Sequence, residues 1–273
     1  MSYNLLVLDV DGTLLNEKNV ISEKDKRAIQ EVRRRGVFVS LCTGRVNQAT
    51  QTVLKRLSLD GYHIFSDGAV VASSDNSEQI YIKPIEDKTL CELVDYVHRN
   101  KINSIDFFSA KHFYVEPQTE KWMVKIRREF FELEPEVVNF SELCGKEKII
   151  KATMAMDPVK AKEKIADFSR HFENRLRLSY TRNVTFPDLD WINIIDPAVS
   201  KAEALKFLAS YLKVPMEEVI AIGDGTNDIP LLLCAGMSVA MGHAPQEVKD
   251  CASYVTLDVA HSGVSAAIKK FLL

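Results

Sequence analysis

The chain enters an unbroken apolar run at Leu5-Leu6-Val7-Leu8, and the run stops at Asp9-Val10-Asp11-Gly12-Thr13. A short apolar stretch without alternation, ended by polar and turn-forming residues, predicts a strand buried on both faces of a parallel sheet. Ser22 with Asp25 three residues on predicts a helix start, and Ala28, Ile29 and Val32 recur at helical spacing until Gly36. A strand over 37–41 then completes a βαβ unit. A helix after Arg45 leads to a short strand around Ile64 and Phe65, and Asp67-Gly68 predicts the turn of a hairpin into Val70 and Val71.

From about residue 84 the pattern changes. It predicts a helix to Asn100, strands near 102–108 and 113–115, and a helix after Thr119. A strand, a helix and two strands ending near Phe186 follow, together an α+β insert. From Trp191 the α/β alternation resumes, with strands at 219–222 and 238–241 and short helices around 229–234, 245–251 and 264–272. The predicted fold is α/β, with a doubly wound, Rossmann-like parallel-sheet core made of residues 1–83 and 190–273 around an α+β domain at 84–189.

With 273 residues, 46% of them hydrophobic, the chain can bury a large core and exceeds the usual size of one domain. A formal net charge of -3 leaves no sequence-wide basic field to hold nucleic acid or an anionic membrane. The one dense basic run, Arg33-Arg34-Arg35, closes a predicted helix, where cations complement the dipole. Cys42, Cys91, Cys144, Cys234 and Cys251 are odd in number and scattered, without Cys-x-x-Cys spacing, which suits a reduced compartment. No apolar run reaches membrane-spanning length and no signal-peptide pattern opens the chain, so a cytoplasmic protein is expected.

Candidate chemistry gathers at strand ends. Ligands of open α/β sheets bind beyond the carboxyl ends of the strands, which is where Asp9 and Asp11 fall. Gly223-Asp224-Gly225-Thr226-Asn227-Asp228 follows a second predicted core strand. If the two motifs meet, up to four carboxylates share one sheet edge, and two charges about 4 Å apart repel by about 4 kcal/mol at an effective dielectric of about 20. Such a cluster calls for a cation, and all-oxygen ligation without His or Cys suits Mg2+. Ser200 and Glu203 form a second capping-box pattern that puts Lys201 at a helix start, where a bound anion offsets the unfavourable dipole. Thr43-Gly44 follows another strand end and offers a hydroxyl and unpaired backbone N–H groups to a phosphate oxygen.

These four segments, in this order and spacing, resemble the haloacid dehalogenase superfamily, and within it the Cof-like type IIB phosphatases, over essentially the whole chain. Met241-Gly242, Glu247-Val248-Lys249 and Gly263-Val264 resemble that family's C-terminal pattern. The resemblance implies a Mg2+-dependent phosphatase of small phosphorylated metabolites, sugar phosphates among them, with no nucleic-acid or membrane partner. It implies that Asp9 is the nucleophile, forming an aspartyl-phosphate, and that Asp11 is the general acid and then base. Asp9, Asp224 and the Asp11 backbone carbonyl would hold Mg2+, with Asp228 acting through water. Thr43, Gly44, Lys201 and Asn227 would bind the phosphate. A phosphomutase of sugar phosphates, or a non-catalytic metabolite-binding protein on the same fold, are the alternatives.

The chain departs from the pattern at three places. Relatives most often carry Asn at Asp67, Gly at Ala202 and Asn at His243, the last on the same sheet edge as Asp9 and Asp224. The insert would be a cap that sets selectivity, and it offers Trp122, Arg127, Arg128, Arg175 and Arg182. Phe107, Phe108, Phe113 and Tyr114 read as cap core, and His63, His98, His112, His171 and His261 share no metal spacing.

Overall fold

A computed structural model describes residues 3–131, 134–181 and 188–273. In chain order it opens with β1 (Leu5–Leu8), α1 (Glu23–Arg34), β2 (Phe38–Leu41), α2 (Asn47–Leu57), β3 (Tyr62–Phe65), β4 (Val70–Ser73) and β5 (Gln79–Ile82). Then come α3 (Asp87–Arg99), β6 (Ile105–Phe108), β7 (Phe113–Val115), α4 (Lys121–Phe131), β8 (Glu136–Val137), β9 (Lys151–Met156), α5 (Pro158–His171), β10 (Arg177–Thr181) and β11 (Asp190–Ile195). The chain closes with α6 (Lys201–Leu212), β12 (Val219–Gly223), α7 (Ile229–Cys234), β13 (Met237–Ala240), α8 (Gln246–Asp250), β14 (Tyr254–Val255) and α9 (Gly263–Phe271). Two compact units divide it, one of residues 1–45, 50–81 and 200–273, the other of 46–49 and 82–199.

In the first unit the strands β14-β13-β12-β1-β2 form one parallel sheet with β12 at its centre and β1 between β12 and β2. Leu5 and Val7 pack with Ala204, Leu205, Leu208, Leu231 and Leu232 from α6 and α7. Leu6 and Leu8 point the opposite way and are equally buried, which is why β1 reads as a continuous apolar run. Helix α1 packs against α9, and the Ser22 cap accepts from the Asp25 N–H at 3.0 Å. Asp25 itself accepts from the Ser265 N–H at 2.7 Å, so the capping pair also ties the first helix to the last. The chain leaves β1 toward β2 on one side and returns through β12 on the other, so the topological switch lies at β1.

The second unit holds the sheet β10-β11-β9-β6-β7-β8. One face, with Phe107 opposite Ala152 and Ile192 opposite Met154, packs on Leu90, Leu93, Val94 and Val97 of α3 and Phe168 and Phe172 of α5. Phe107, Phe108, Phe113 and Tyr114 are all buried. The run from Trp191, expected to return the chain to the core at residue 190, instead forms an antiparallel strand between β9 and β10, and this unit continues to Val199. The reason is that an antiparallel strand buried on both faces, as residues 191–195 are, has nearly the same apolar-rich signature as a parallel core strand, with only Asn193 interrupting it.

The polar candidates of this unit are engaged in ion pairs. Arg127 donates to the buried Asp106 at 2.6 Å and lies 4.8 Å over the Trp191 ring, Trp122 meets Trp191 edge-on, Arg128 pairs with Glu134, and Arg175 pairs with Glu92. His98, His112 and His171 face Glu116, Glu136 and Glu92, and His261 in the first unit faces Asp258. Arg182 and Phe186 lie outside the described residues.

Candidate active site at the carboxyl edge of the core sheet

Strands β1 and β12 are neighbours in register, with Leu8 opposite Ile222, so the residues that follow them, Asp9 and Asp224, emerge side by side. The Asp9 N–H still donates to the Ile222 carbonyl at 2.9 Å, which fixes its backbone to the sheet. Gly12, at φ +84, is required here: a Cβ would fall 2.2 Å from an Asp224 carboxylate oxygen. Thr13 donates its hydroxyl to the other Asp224 oxygen at 2.8 Å.

Lys201 opens α6 and is 1% exposed. Its Nζ donates to Asp9 Oδ1 at 2.7 Å, Asp228 Oδ1 at 2.6 Å and the Cys42 carbonyl at 3.1 Å, spending all three of its N–H bonds inside the site. Ser200 caps the helix by accepting from Ala202 N at 3.2 Å, whereas Glu203, expected to complete a capping box, pairs with Lys206. Exposed at that turn, Glu203 finds an ammonium within reach on its own helix face. Asp228 spends its second oxygen on the backbone N–H groups of Asp224 and Gly225, at 3.1 and 2.9 Å, closing the Gly-Asp-x-x-Asn-Asp loop on itself.

One carboxylate oxygen from each of Asp9, Asp224 and Asp228 lies within 4.8 Å of the others, and the single ammonium of Lys201 bonds two of them, Asp9 and Asp228. Burial, then the Asp228 carboxylate, hold the Asp9 carboxyl well above the usual carboxylate range, and Lys201 only partly opposes this. Burial raises Asp224 as well, against the Thr13 hydrogen bond. Burial alone would lower Lys201, but the Asp228 and Asp9 carboxylates outweigh it and keep the amine charged. A hard cation with oxygen ligands fits this donor set, three carboxylates with no His or Cys among them, and added positive charge would favour the ionised form of Asp9.

Of the residues expected to bind phosphate, Thr43 and Gly44 follow β2 and Asn227 follows β12. Thr43, buried, accepts from Arg45 N at 3.1 Å through its hydroxyl, and its own N–H bonds the Ile64 carbonyl. Asn227 donates to Asp67 at 3.1 Å, and a Cβ on Gly44 would sit 3.0 Å from that same carboxylate. The Asp11 side chain stands apart from the carboxylate cluster. Its exposed carboxylate is gripped by both arms of Arg45, with Nε 2.8 Å from Oδ2 and Nη2 on Oδ1. His243 Nε2 comes 3.5 Å from Asp224, as its sheet edge predicted. The role of Arg45 escaped the sequence reading, although it directly follows Thr43-Gly44, because nothing local identifies the partner of an arginine. Thr13 escaped it as well, since its Asp224 partner is 211 positions away.

A family model described as haloacid dehalogenase-like hydrolase matches residues 6–268, and the chain belongs to that family. The family is one of hydrolases, and several relatives of the chain are named as phosphatases. The 5-amino-6-(5-phospho-D-ribitylamino)uracil phosphatase YcsE of Bacillus subtilis is 28% identical, over 98% of this chain and 96% of that protein. Among solved structures, TM0651 from Thermotoga maritima superposes with a TM-score of 0.84 at 28% identity, covering 99% of this chain and 98% of that one. The HAD subclass IIB sugar phosphatase BT4131 shares the fold with a TM-score of 0.78 at 24% identity, covering 98% of both chains. No helix among the described residues is long and apolar enough to cross a membrane.

Proposed function

We propose that the protein is a Mg2+-dependent phosphatase of small phosphorylated metabolites, sugar phosphates among them, that works through an aspartyl-phosphate on Asp9. The observation that carries this reading is the buried Asp9 carboxylate, bonded to Lys201 at 2.7 Å and flanked by Asp224 and Asp228 at the sheet's topological switch. Asp9 attacks phosphorus with one oxygen while the bond to the leaving alcohol breaks. Asp11 gives its proton to the departing oxygen, and then takes one from the water that cleaves the aspartyl-phosphate. For this the carboxyl of Asp11 must part from at least one arm of Arg45. Lys201, with Thr43, Gly44 and Asn227, stabilises the charge on the transferring phosphoryl group.

Mg2+ held by Asp9, Asp224 and the Asp11 carbonyl, with Asp228 behind a water, would supply charge neutralisation at the phosphoryl oxygens. Relatives named for a phosphorylated ribityl compound and as a sugar phosphatase support small phosphate monoesters as the substrate class, and the scattered cysteines, none of them in a disulfide, support the cytoplasm as the place of work. A phosphate-release screen over sugar phosphates, nucleotides and cofactor phosphates, with Mg2+ and with chelator, tests the reading. Turnover of several sugar phosphates that stops with chelator is expected. Full activity in excess chelator would overturn the metal requirement, and a demand for a phosphorylated activator with little free phosphate released would point to a mutase.

A further inference from the structure

Between β3 and β4 three consecutive residues have positive φ: Ser66 at 53, Asp67 at 56 and Gly68 at 101 degrees. For residues other than glycine this left-handed conformation costs about 1–2 kcal/mol each, so neighbouring contacts must hold it. Those contacts lead to three separate motifs of the site. Ser66 N donates to the Arg45 carbonyl at 2.9 Å and Asp67 N to the Thr43 carbonyl at 3.0 Å. A Cβ on Gly68 would lie 2.3 Å from the Ser200 carbonyl, so the turn is pressed against the start of α6 and Lys201. The Asp67 side chain, 8% exposed, accepts from Asn227 Nδ2 at 3.1 Å.

We propose that Asp67 is a positioning residue: its carboxylate, held on the strained turn, orients the Asn227 carboxamide so that its second N–H is presented to the phosphate. An ionised carboxylate only accepts hydrogen bonds, so Asn227 can face it only with its amide nitrogen. One N–H of that nitrogen is spent on Asp67, and the other remains for an oxyanion. The close approach of Asp67 to Gly44 places this pair against the loop that carries Thr43. An asparagine at 67 could offer either end of its own amide and would define the orientation less firmly.

The assignment rests on the phosphate site proposed above, and its test reads binding rather than turnover. Inorganic phosphate is titrated into the protein in the presence of Mg2+ by calorimetry, with thermal unfolding followed in parallel. Asp67→Gly is the informative variant, because glycine adopts positive φ without strain and so removes the carboxylate while sparing the turn. Its Tm should equal or exceed that of the wild type, while phosphate binds about tenfold more weakly, the size of one charge-assisted hydrogen bond. Asp67→Asn, which keeps an oxygen acceptor, should recover most of the affinity. Asn227→Ala should match Asp67→Gly, and the double variant should be little weaker than either single one, because both remove the same interaction. Wild-type affinity in Asp67→Gly, or losses that multiply in the double variant, would overturn the assignment alone. Failure of the wild-type protein to bind phosphate would overturn the phosphatase reading and this assignment with it.

Discussion

At the scale of single residues, two aspartates two positions apart have opposite surroundings. Asp9 is buried, bonded to Lys201 and anchored by its backbone to β12, whereas Asp11 is exposed and paired with Arg45. A nucleophile must attack along one line and gains from rigidity, while a proton donor must reach the leaving oxygen and later a water. Asp9→Asn should abolish phosphate release while leaving the fold intact, and steady-state assays with circular dichroism check both. Asp11→Asn should slow hydrolysis of an alkyl phosphate by about 100 to 10000-fold. An activated aryl phosphate, whose leaving group hardly needs a proton, should lose far less in the phosphoenzyme-forming step. Equal losses on the two substrates would make Asp11 structural. Gly12→Ala adds a methyl 2.2 Å from an Asp224 oxygen at a φ of +84, so it should cost activity nearly as completely as Asp224→Ala.

At the scale of elements, β2 and β3 lie side by side, with Cys42 bridging to Ile64, and His63 of β3 reaches across to accept the Leu41 N–H at 3.1 Å. Full burial pushes its imidazole from an ordinary 6.5 down to about 3. The folded protein therefore keeps His63 neutral, while the unfolded chain takes up a proton below about 6.5. The stability this protects is complete above that value and drains away as pH falls toward about 3. Between about pH 7 and about pH 5 the loss from this one group is on the order of 2 kcal/mol. Urea unfolding of His63→Gln, which keeps an acceptor for Leu41 but cannot take the proton, should show that much less acid sensitivity than the wild type. Identical pH slopes for the two proteins would place the acid sensitivity elsewhere.

At the scale of the whole molecule, the site joins chain segments near residues 9, 43, 201 and 224, so a cation bound there braces parts of the fold that are distant in sequence. Mg2+ should raise Tm, with stabilisation approaching about 2.7 kcal/mol at a hundredfold excess over its Kd. Asp224→Ala should erase most of the shift in calorimetry, and an unchanged shift would move the metal elsewhere. How much of this was legible in the sequence depended on range. The buried strand before Asp9, the Ser22 helix cap, the hairpin at Asp67-Gly68 and the short motifs are written in residues within a few positions of one another. Propensity and spacing act at that distance, so the sequence by itself determined the α/β order and the chemistry-bearing segments. It could not tell a buried antiparallel strand from a parallel one at Trp191, because burial on both faces leaves nearly the same apolar pattern. Nor could it assign Arg45 to Asp11, Thr13 to Asp224 or Asp67 to Asn227, contacts spanning 34, 211 and 160 positions. Only the tertiary structure decided those pairings, because a side chain's partner is set by which strand ends the sheet brings together, and no local preference encodes it.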